Sequence, residues 1–148
     1  MSLVVAADAA PSPPTGRILE MLRLANAAGR ACYLDGYPTV VLRNAKGAAL
    51  PFAIQRRGGM VVTDAPPKRV DLAAGASAYF LVEKYRCDGR EKDRAVAVSA
   101  QPPGARPPAL QVTLPEQQDF GFCGVGDAGN SVYVSPVVPD PTSAIRRF

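Results

Sequence analysis

The sequence contains no histidine, no tryptophan and only three cysteines among its 148 residues. Without histidine, a Ser-His-Asp or Cys-His catalytic group, a histidine-bearing zinc site and an imidazole general base are all excluded. No apolar run reaches the length of about 18 residues that a membrane-spanning helix needs. We therefore predict no catalytic, cofactor-binding or metal-binding residues, and no cofactor.

Charge is modest as well. The chain carries 17 basic and 13 acidic side chains, which gives a net charge of +4. The basic residues are scattered, and the densest charged stretch, 83–94, nearly cancels itself. A surface that reads nucleic acid would place basic residues beside aromatic ones in a stripe, and the sequence has no such stripe. We therefore predict no nucleic-acid partner, and the weak positive balance favours an anionic one.

The apolar residues that are present mostly alternate with polar ones. Val40 and Leu42 show this pattern, and so do Val132 and Val134. Such a period of two is typical of strands with one buried face. The 15 prolines and 13 glycines fall mainly between these runs, where they favour turns. The predicted strands are 3–7, 17–26, 38–44, 50–56, 60–64, 68–72, 77–86, 94–101, 108–114 and 131–136. Short strands at this spacing predict an all-β sandwich or barrel.

One segment also fits a helix. Within 17–28, four apolar residues have helical spacing, and Thr15 is a suitable N-terminal cap. A capping box would require Glu or Gln at the position that Ile18 occupies. We favour the strand over the helix for this segment.

The length predicts a single domain. We expect residues 1–16 to form an N-terminal strand and a Pro-rich loop of the same domain. Residues 17–137 are predicted to form the body of the β-sandwich, and residues 138–148 a flexible tail.

Several motifs together are distinctive. Cys32-Tyr-Leu-Asp-Gly-Tyr-Pro38 follows Leu22-Arg-Leu-Ala-Asn26 and precedes Val40-Val-Leu-Arg-Asn-Ala-Lys-Gly47. Further along come Val70-Asp-Leu-Ala-Ala-Gly-Ala-Ser-Ala78 and Val132-Tyr-Val-Ser-Pro136. In these motifs, over almost its whole length, the chain resembles the actinobacterial family known as domain of unknown function 4232.

The resemblance implies an immunoglobulin-like antiparallel β-sandwich in an exported protein or lipoprotein, with no activity to carry over. We expect a non-enzymatic binding or interaction module of the cell envelope. A purely structural envelope domain and a carboxylate-based hydrolase are the alternatives. The expected partner is an anionic envelope component or another envelope protein. The sequence begins without a signal peptide, so an extracytoplasmic location implies a native signal, and any lipid anchor, upstream of this chain.

Gly36, Tyr37 and Pro38 belong to the most specific of these motifs. We expect a structural role for all three, in preference to ligand contact. Gly36 would allow a tight turn, Pro38 would fix φ where the next strand begins, and Tyr37 would lay its ring on the edge of the core.

The resemblance also bears on the three cysteines, because members of the family usually carry four. It implies a Cys87–Cys123 disulfide, with Cys32 left unpaired in this chain because its partner lies upstream or is absent. The rival pairing is Cys32–Cys87, whose separation is similar to that of the inter-sheet bridge of immunoglobulin domains. A fully reduced, cytosolic state is a third alternative.

Two further motifs carry no predicted site. Gly124-Val-Gly-Asp-Ala-Gly129 has the spacing of a dinucleotide fingerprint, but a strand follows it where a helix is required. Asp88-Gly-Arg-Glu-Lys-Asp93 brings three carboxylates together, but basic residues occupy the alternate positions that a calcium loop needs. We interpret both as exposed loops.

Overall fold

The computed structural model describes residues 2–115 and 120–146. These residues form twelve β-strands and two short 3-10 helices, Ala128–Asn130 and Pro141–Ala144. The strands are β1 (Leu3–Asp8), β2 (Arg17–Asn26), β3 (Cys32–Leu34), β4 (Thr39–Arg43), β5 (Ala53–Gln55), β6 (Val70–Leu72), β7 (Ser77–Tyr85), β8 (Asp93–Arg94), β9 (Ala97–Gln101), β10 (Leu110–Thr113), β11 (Gly121–Phe122) and β12 (Ser131–Val134). The protein is all-β, as predicted. No helix in the described ranges is long and apolar enough to cross a membrane.

The strands form one large sheet and three small ones. The large sheet has the order β1-β2-β7-β12-β5, and only its β12–β5 pair is parallel. A three-stranded antiparallel sheet has the order β10-β9-β4, and β11-β8 and β3-β6 are separate antiparallel pairs. This arrangement is consistent with a β-sandwich, and an immunoglobulin-like topology stays a prediction.

The central strands β2 and β7 of the large sheet are mostly buried on both faces. On one face, Leu22 and Phe80 belong to the main core, which also includes Val98 of the three-stranded sheet. On the other face, Met21 and Leu81 belong to a second, smaller cluster. Strand β2 therefore lacks the solvent-exposed face that its alternating pattern predicts, because a second layer of chain covers it.

Most of the predicted strands are confirmed. Segment 17–26 is a strand that pairs with β7 along nine residues, so the helix alternative is wrong there. Strand β3 (Cys32–Leu34) and strand β11 (Gly121–Phe122) were not predicted. Both are too short for an alternating pattern to stand out from the sequence.

The prediction of a strand over 60–64 is wrong. In this segment only Val62 forms a bridge, with Ile145, and two backbone hydrogen bonds flank it. Thr63 N–H donates to the carbonyl of Ala144 (2.9 Å), and Arg146 N–H donates to that of Val61 (2.6 Å).

The segment predicted to be a flexible tail is packed where it is described. Val138 exchanges two backbone hydrogen bonds with Tyr79 of β7, each 2.8 Å long. Ala144 is fully buried in the second cluster. Burial of these apolar side chains against the large sheet holds residues 138–146 in place. Residues 147 and 148 lie outside the described part of the chain.

Candidate functional site

The disulfide joins Cys87, which follows β7, to Cys123, which follows β11. Their Cα atoms are 5.9 Å apart and their sequence separation is 36. The rival pairing of Cys32 with Cys87 is therefore wrong. Cys32 has a free thiol at the start of β3, and burial raises its pKa. The bridge fixes the end of β7 against the glycine-rich loop 124–129.

Asp127 organises that glycine-rich loop. Its carboxylate accepts backbone hydrogen bonds from Gly129 (2.8 Å), Gly89 (2.7 Å) and Asp88 (3.0 Å). These three bonds, chiefly the one from Gly129, hold the pKa of Asp127 below its usual range. The loop ends in a 3-10 helix of only three residues, and β12 follows directly. The geometry is that of a structural turn, in agreement with the interpretation of this motif as a loop.

Cys87, Cys123 and Asp127 bring ligand atoms within 4.8 Å of one another, a spacing compatible with a metal ion. The two sulfur atoms are joined to each other, however, so neither is the thiolate that metal binding by cysteine requires. In the disulfide form, the carboxylate of Asp127 is the one anionic ligand of this group.

The acidic loop 88–93 is held by its own neighbours. Glu91 forms an ion pair with Arg94 at 2.7 Å. Asp93 accepts hydrogen bonds from Asn44 Nδ2 (2.9 Å) and from Arg94 N–H (2.8 Å), which lower its pKa. These carboxylates serve the contacts between loops.

The Gly36-Tyr37-Pro38 motif makes contacts within the protein. Gly36 has φ of +129°, a value that favours glycine, and its carbonyl accepts a 2.9 Å hydrogen bond from Val137 N–H. The Arg56 guanidinium lies 4.6 Å from the centre of the Tyr37 ring. Pro38 directly precedes β4. The motif thus connects the turn after β3 to the segment that follows β12.

A buried carboxylate that sequence reasoning missed lies on the second-cluster face of the large sheet. Glu83 has no solvent exposure and accepts backbone hydrogen bonds from Met60, Val61 and Val62 at 2.8–2.9 Å. Arg17 Nη1 lies 3.1 Å from the second carboxylate oxygen. Glu83 thereby supplies the acceptors that a neighbouring strand would supply to segment 60–62.

A cleft with an apolar floor lies beside this segment. It has a volume of about 560 Å³ and separates residues 63–70 from residues 136–145. Its floor is apolar and includes Val70, Val137 and Val138, each less than a tenth exposed. Pro66, Pro136 and Pro139 also line it, and their fixed φ angles make the walls stiff.

The rim of the cleft is cationic. Lys68 and Arg69 line it together, and both are exposed. Arg69 is held in place, since its Nε lies 2.9 Å from Asp71 and its guanidinium lies 4.0 Å from the centre of the Tyr33 ring. Within residues 2–115 and 120–146, no carboxylate pairs with Lys68, so its ammonium is available to a ligand.

Four described carboxyls have a lowered pKa. They are Asp64, Asp93, Asp127 and Asp140. In each case hydrogen bonds from nearby backbone or side chains are the leading cause. A general acid in hydrolysis needs a raised pKa, which none of these four groups has. None of them lines the cleft.

Comparison with known proteins gives one positive result. Neither the curated proteins nor the solved structures contain a significant match to this chain. The profile of one family matches residues 2–138, which is nearly the whole chain. The resemblance found in the sequence motifs is therefore confirmed, and the chain belongs to the family described as Domain of unknown function (DUF4232).

Proposed function

We propose that this protein is a non-enzymatic binding domain of the cell envelope, and that its ligand is an anion with a hydrocarbon chain. The observation that carries the proposal is the cleft between residues 63–70 and 136–145, with its apolar floor and cationic rim. Its volume of about 560 Å³ falls within the range of small-molecule sites.

The two parts of the cleft suit the two parts of such a ligand. The valines of the floor gain from burying a hydrocarbon chain, at about 0.8 kcal/mol for each methylene. At the rim, Lys68 offers an ammonium to a phosphate or carboxylate headgroup, beside the fixed guanidinium of Arg69. A purely polar anion would gain nothing from the floor, and a neutral chain nothing from the rim.

The proposed location outside the cytoplasm is supported by the Cys87–Cys123 disulfide, because such bridges persist in oxidising compartments. Tethering through an upstream lipid anchor is part of the same prediction. Blocking free thiols in intact cells of the native host, then reducing and labelling, tests the location. We expect Cys87 and Cys123 to be labelled only after reduction.

The cleft is tested with dodecyl phosphate below its micellar concentration, by isothermal titration calorimetry. Calorimetry suits a chain without tryptophan, since no indole is present to report binding by fluorescence. We expect saturable binding of dodecyl phosphate, and none of inorganic phosphate or of dodecyl maltoside at the same concentration.

Two variants locate the binding. Lys68→Ala removes the unpaired ammonium of the rim and is expected to weaken binding about tenfold, which corresponds to about 1.4 kcal/mol. Lys46→Ala removes an exposed lysine outside the cleft and should leave the affinity unchanged. No binding by the folded wild type would overturn the proposal and favour a purely structural envelope domain. Equal binding by both variants would place the ligand elsewhere and also overturn it.

A further inference from the structure

Three buried polar residues lie together inside the protein, away from the cleft. Glu20 on β2, Lys84 on β7 and Asn130 just before β12 are 3%, 0% and 8% exposed. Burying an amine, a carboxyl and an amide in an apolar core is costly. The proposed binding function uses none of the three, so their joint presence calls for a separate explanation.

The strand register places Glu20 and Lys84 on the main-core face of the large sheet. Lys84 is opposite Ile18 on one side and opposite Val132 on the other, while Glu20 is opposite Val82. Paired residues share a face, and diagonal neighbours are separated by about 7–8 Å between Cα atoms. Such a diagonal is within reach of two long side chains.

The end of the Lys84 side chain lies against the residue that precedes Asn130. Its Nζ donates a 2.7 Å hydrogen bond to the carbonyl of Tyr85. A Cβ built on Gly129 would lie only 3.0 Å from the same Nζ. The amine is therefore at the 3-10 helix that ends in Asn130.

Asn130 contributes the second independent observation. Its Oδ1 is buried and has no hydrogen-bond partner in the described part of the chain. A buried amide oxygen without a partner is rare in folded proteins, because it loses its water without gaining a replacement. Asn130 directly follows Gly129, so this amide and the buried amine of Lys84 lie at the same turn.

We propose that Lys84 and Asn130 form an intramolecular isopeptide bond, with Glu20 transferring the protons. The neutral amine of Lys84 attacks Cγ of Asn130, and a new C–N bond forms. The bond from Cγ to Nδ2 then breaks. The neutral carboxyl of Glu20 donates its proton to the departing Nδ2, which leaves as ammonia, and takes up a proton from the attacking nitrogen. No oxidant, reductant or cofactor is needed for this step.

The apolar surroundings favour this chemistry. Burial disfavours the charged forms of both an amine and a carboxyl, and a desolvated lysine amine is an effective nucleophile. The cross-linked product also lowers the free-energy cost of burial, because the separate amine and amide become a single neutral group. The bond would join β7 to the start of β12, at the same end of the sheet as the Cys87–Cys123 bridge.

Intact-mass measurement of the purified, fully reduced protein tests the proposal. The expected mass is about 17 Da below the value calculated from the sequence, which is the loss of one ammonia. Trypsin does not cleave after an acylated lysine. The digest should therefore contain one branched peptide in which residues 70–86 are joined to the peptide that carries Asn130.

Variants assign the roles. Asn130→Ala and Glu20→Gln should each show the full calculated mass, and Lys46→Met, which changes an exposed lysine outside the cleft, should retain the loss. The full mass in folded wild-type protein would overturn the proposal. So would a loss that maps to a succinimide at another asparagine, or a loss of about 18 Da from a link between Lys84 and Asp127. These measurements need no ligand, so they are independent of the test of the cleft.

Discussion

The carboxylate of Glu83 lies 3.1 Å from the guanidinium of Arg17, and the side chain of Glu83 has no exposure to solvent. This ion pair joins β2 to β7 near one end of their ladder, on the sheet face that carries the second cluster. Glu83 also accepts the backbone N–H groups of segment 60–62. One side chain thus fixes both a strand pair and the segment that leads into the cleft.

Replacing Glu83 by Gln should destabilise the protein by about 3 kcal/mol. The amide offers one acceptor oxygen in place of two, so buried N–H groups and the Arg17 guanidinium lose their partners. Urea unfolding of wild type and variant measures the difference. Glu91→Gln is the matched control, since it breaks an exposed ion pair with Arg94 that is worth at most about 1 kcal/mol. Equal losses in the two variants would contradict the role given to Glu83.

Removing the disulfide should also cost stability. A loop closed across 36 positions corresponds to about 3–4 kcal/mol in the chain-entropy description. The double variant Cys87→Ser, Cys123→Ser is expected to unfold at correspondingly lower urea concentration. Cys32→Ser should have a smaller effect, because this residue is half-buried and unpaired. A wild type that is equally stable with and without a reducing agent would argue against a stabilising bridge.

Two glycines separate backbone strain from steric clash. Gly16 and Gly47 both have φ of +82°. A Cβ on Gly16 would lie 2.6 Å from Cε1 of Tyr85, whereas a Cβ on Gly47 would meet nothing within 4 Å. Both alanine variants should be destabilised by about 1 kcal/mol, because alanine is strained in the left-handed conformation. Gly16→Ala should lose about 1 kcal/mol more stability because of the clash. Thermal unfolding of the pair measures the difference directly, and equal losses would contradict the clash.

Acid should destabilise the protein in part through Asp127. Hydrogen bonds from Gly129, Gly89 and Asp88 lower its pKa in the folded state. Its contribution is therefore present above the pKa of the unfolded chain, about 3.9, and is lost as the pH falls through the lower folded-state pKa. Asp127→Ala is expected to be less stable than wild type at neutral pH and to lose less stability below pH ~4. Urea midpoints at a series of pH values check this, and parallel curves would contradict it.

Local patterns in the sequence predicted much of the fold. Alternation marked β4 and β12, and glycine and proline marked the turns between the strands. The resemblance to the family supplied the Cys87–Cys123 pairing, which spacing alone left open against Cys32–Cys87. The prediction of a strand over 60–64 was wrong because the Glu83 side chain and the C-terminal segment cover its alternating residues. No strand of a sheet adjoins this segment in the described part of the chain.

The two candidate sites were harder to predict. The cleft depends on Val70 and Val137, which line it from segments about 70 positions apart, and the motifs at these segments do not record that the two meet. Lys84 is one lysine in the charged stretch 83–94, and the sequence pattern did not mark it as buried. Its burial follows from the β2–β7–β12 register, which covers both sides of the residue.

The sequence by itself determined the all-β class, the strand character of 17–26 and the family, because these depend on local periodicity and on contiguous motifs. Tertiary structure alone decided which residues meet across the molecule. It buried Glu83 against Arg17, packed residues 138–146 onto the sheet, and placed Lys84 beside the turn that ends in Asn130. The physical reason is that burial depends on what covers each face, and a period of two does not record the covering segment.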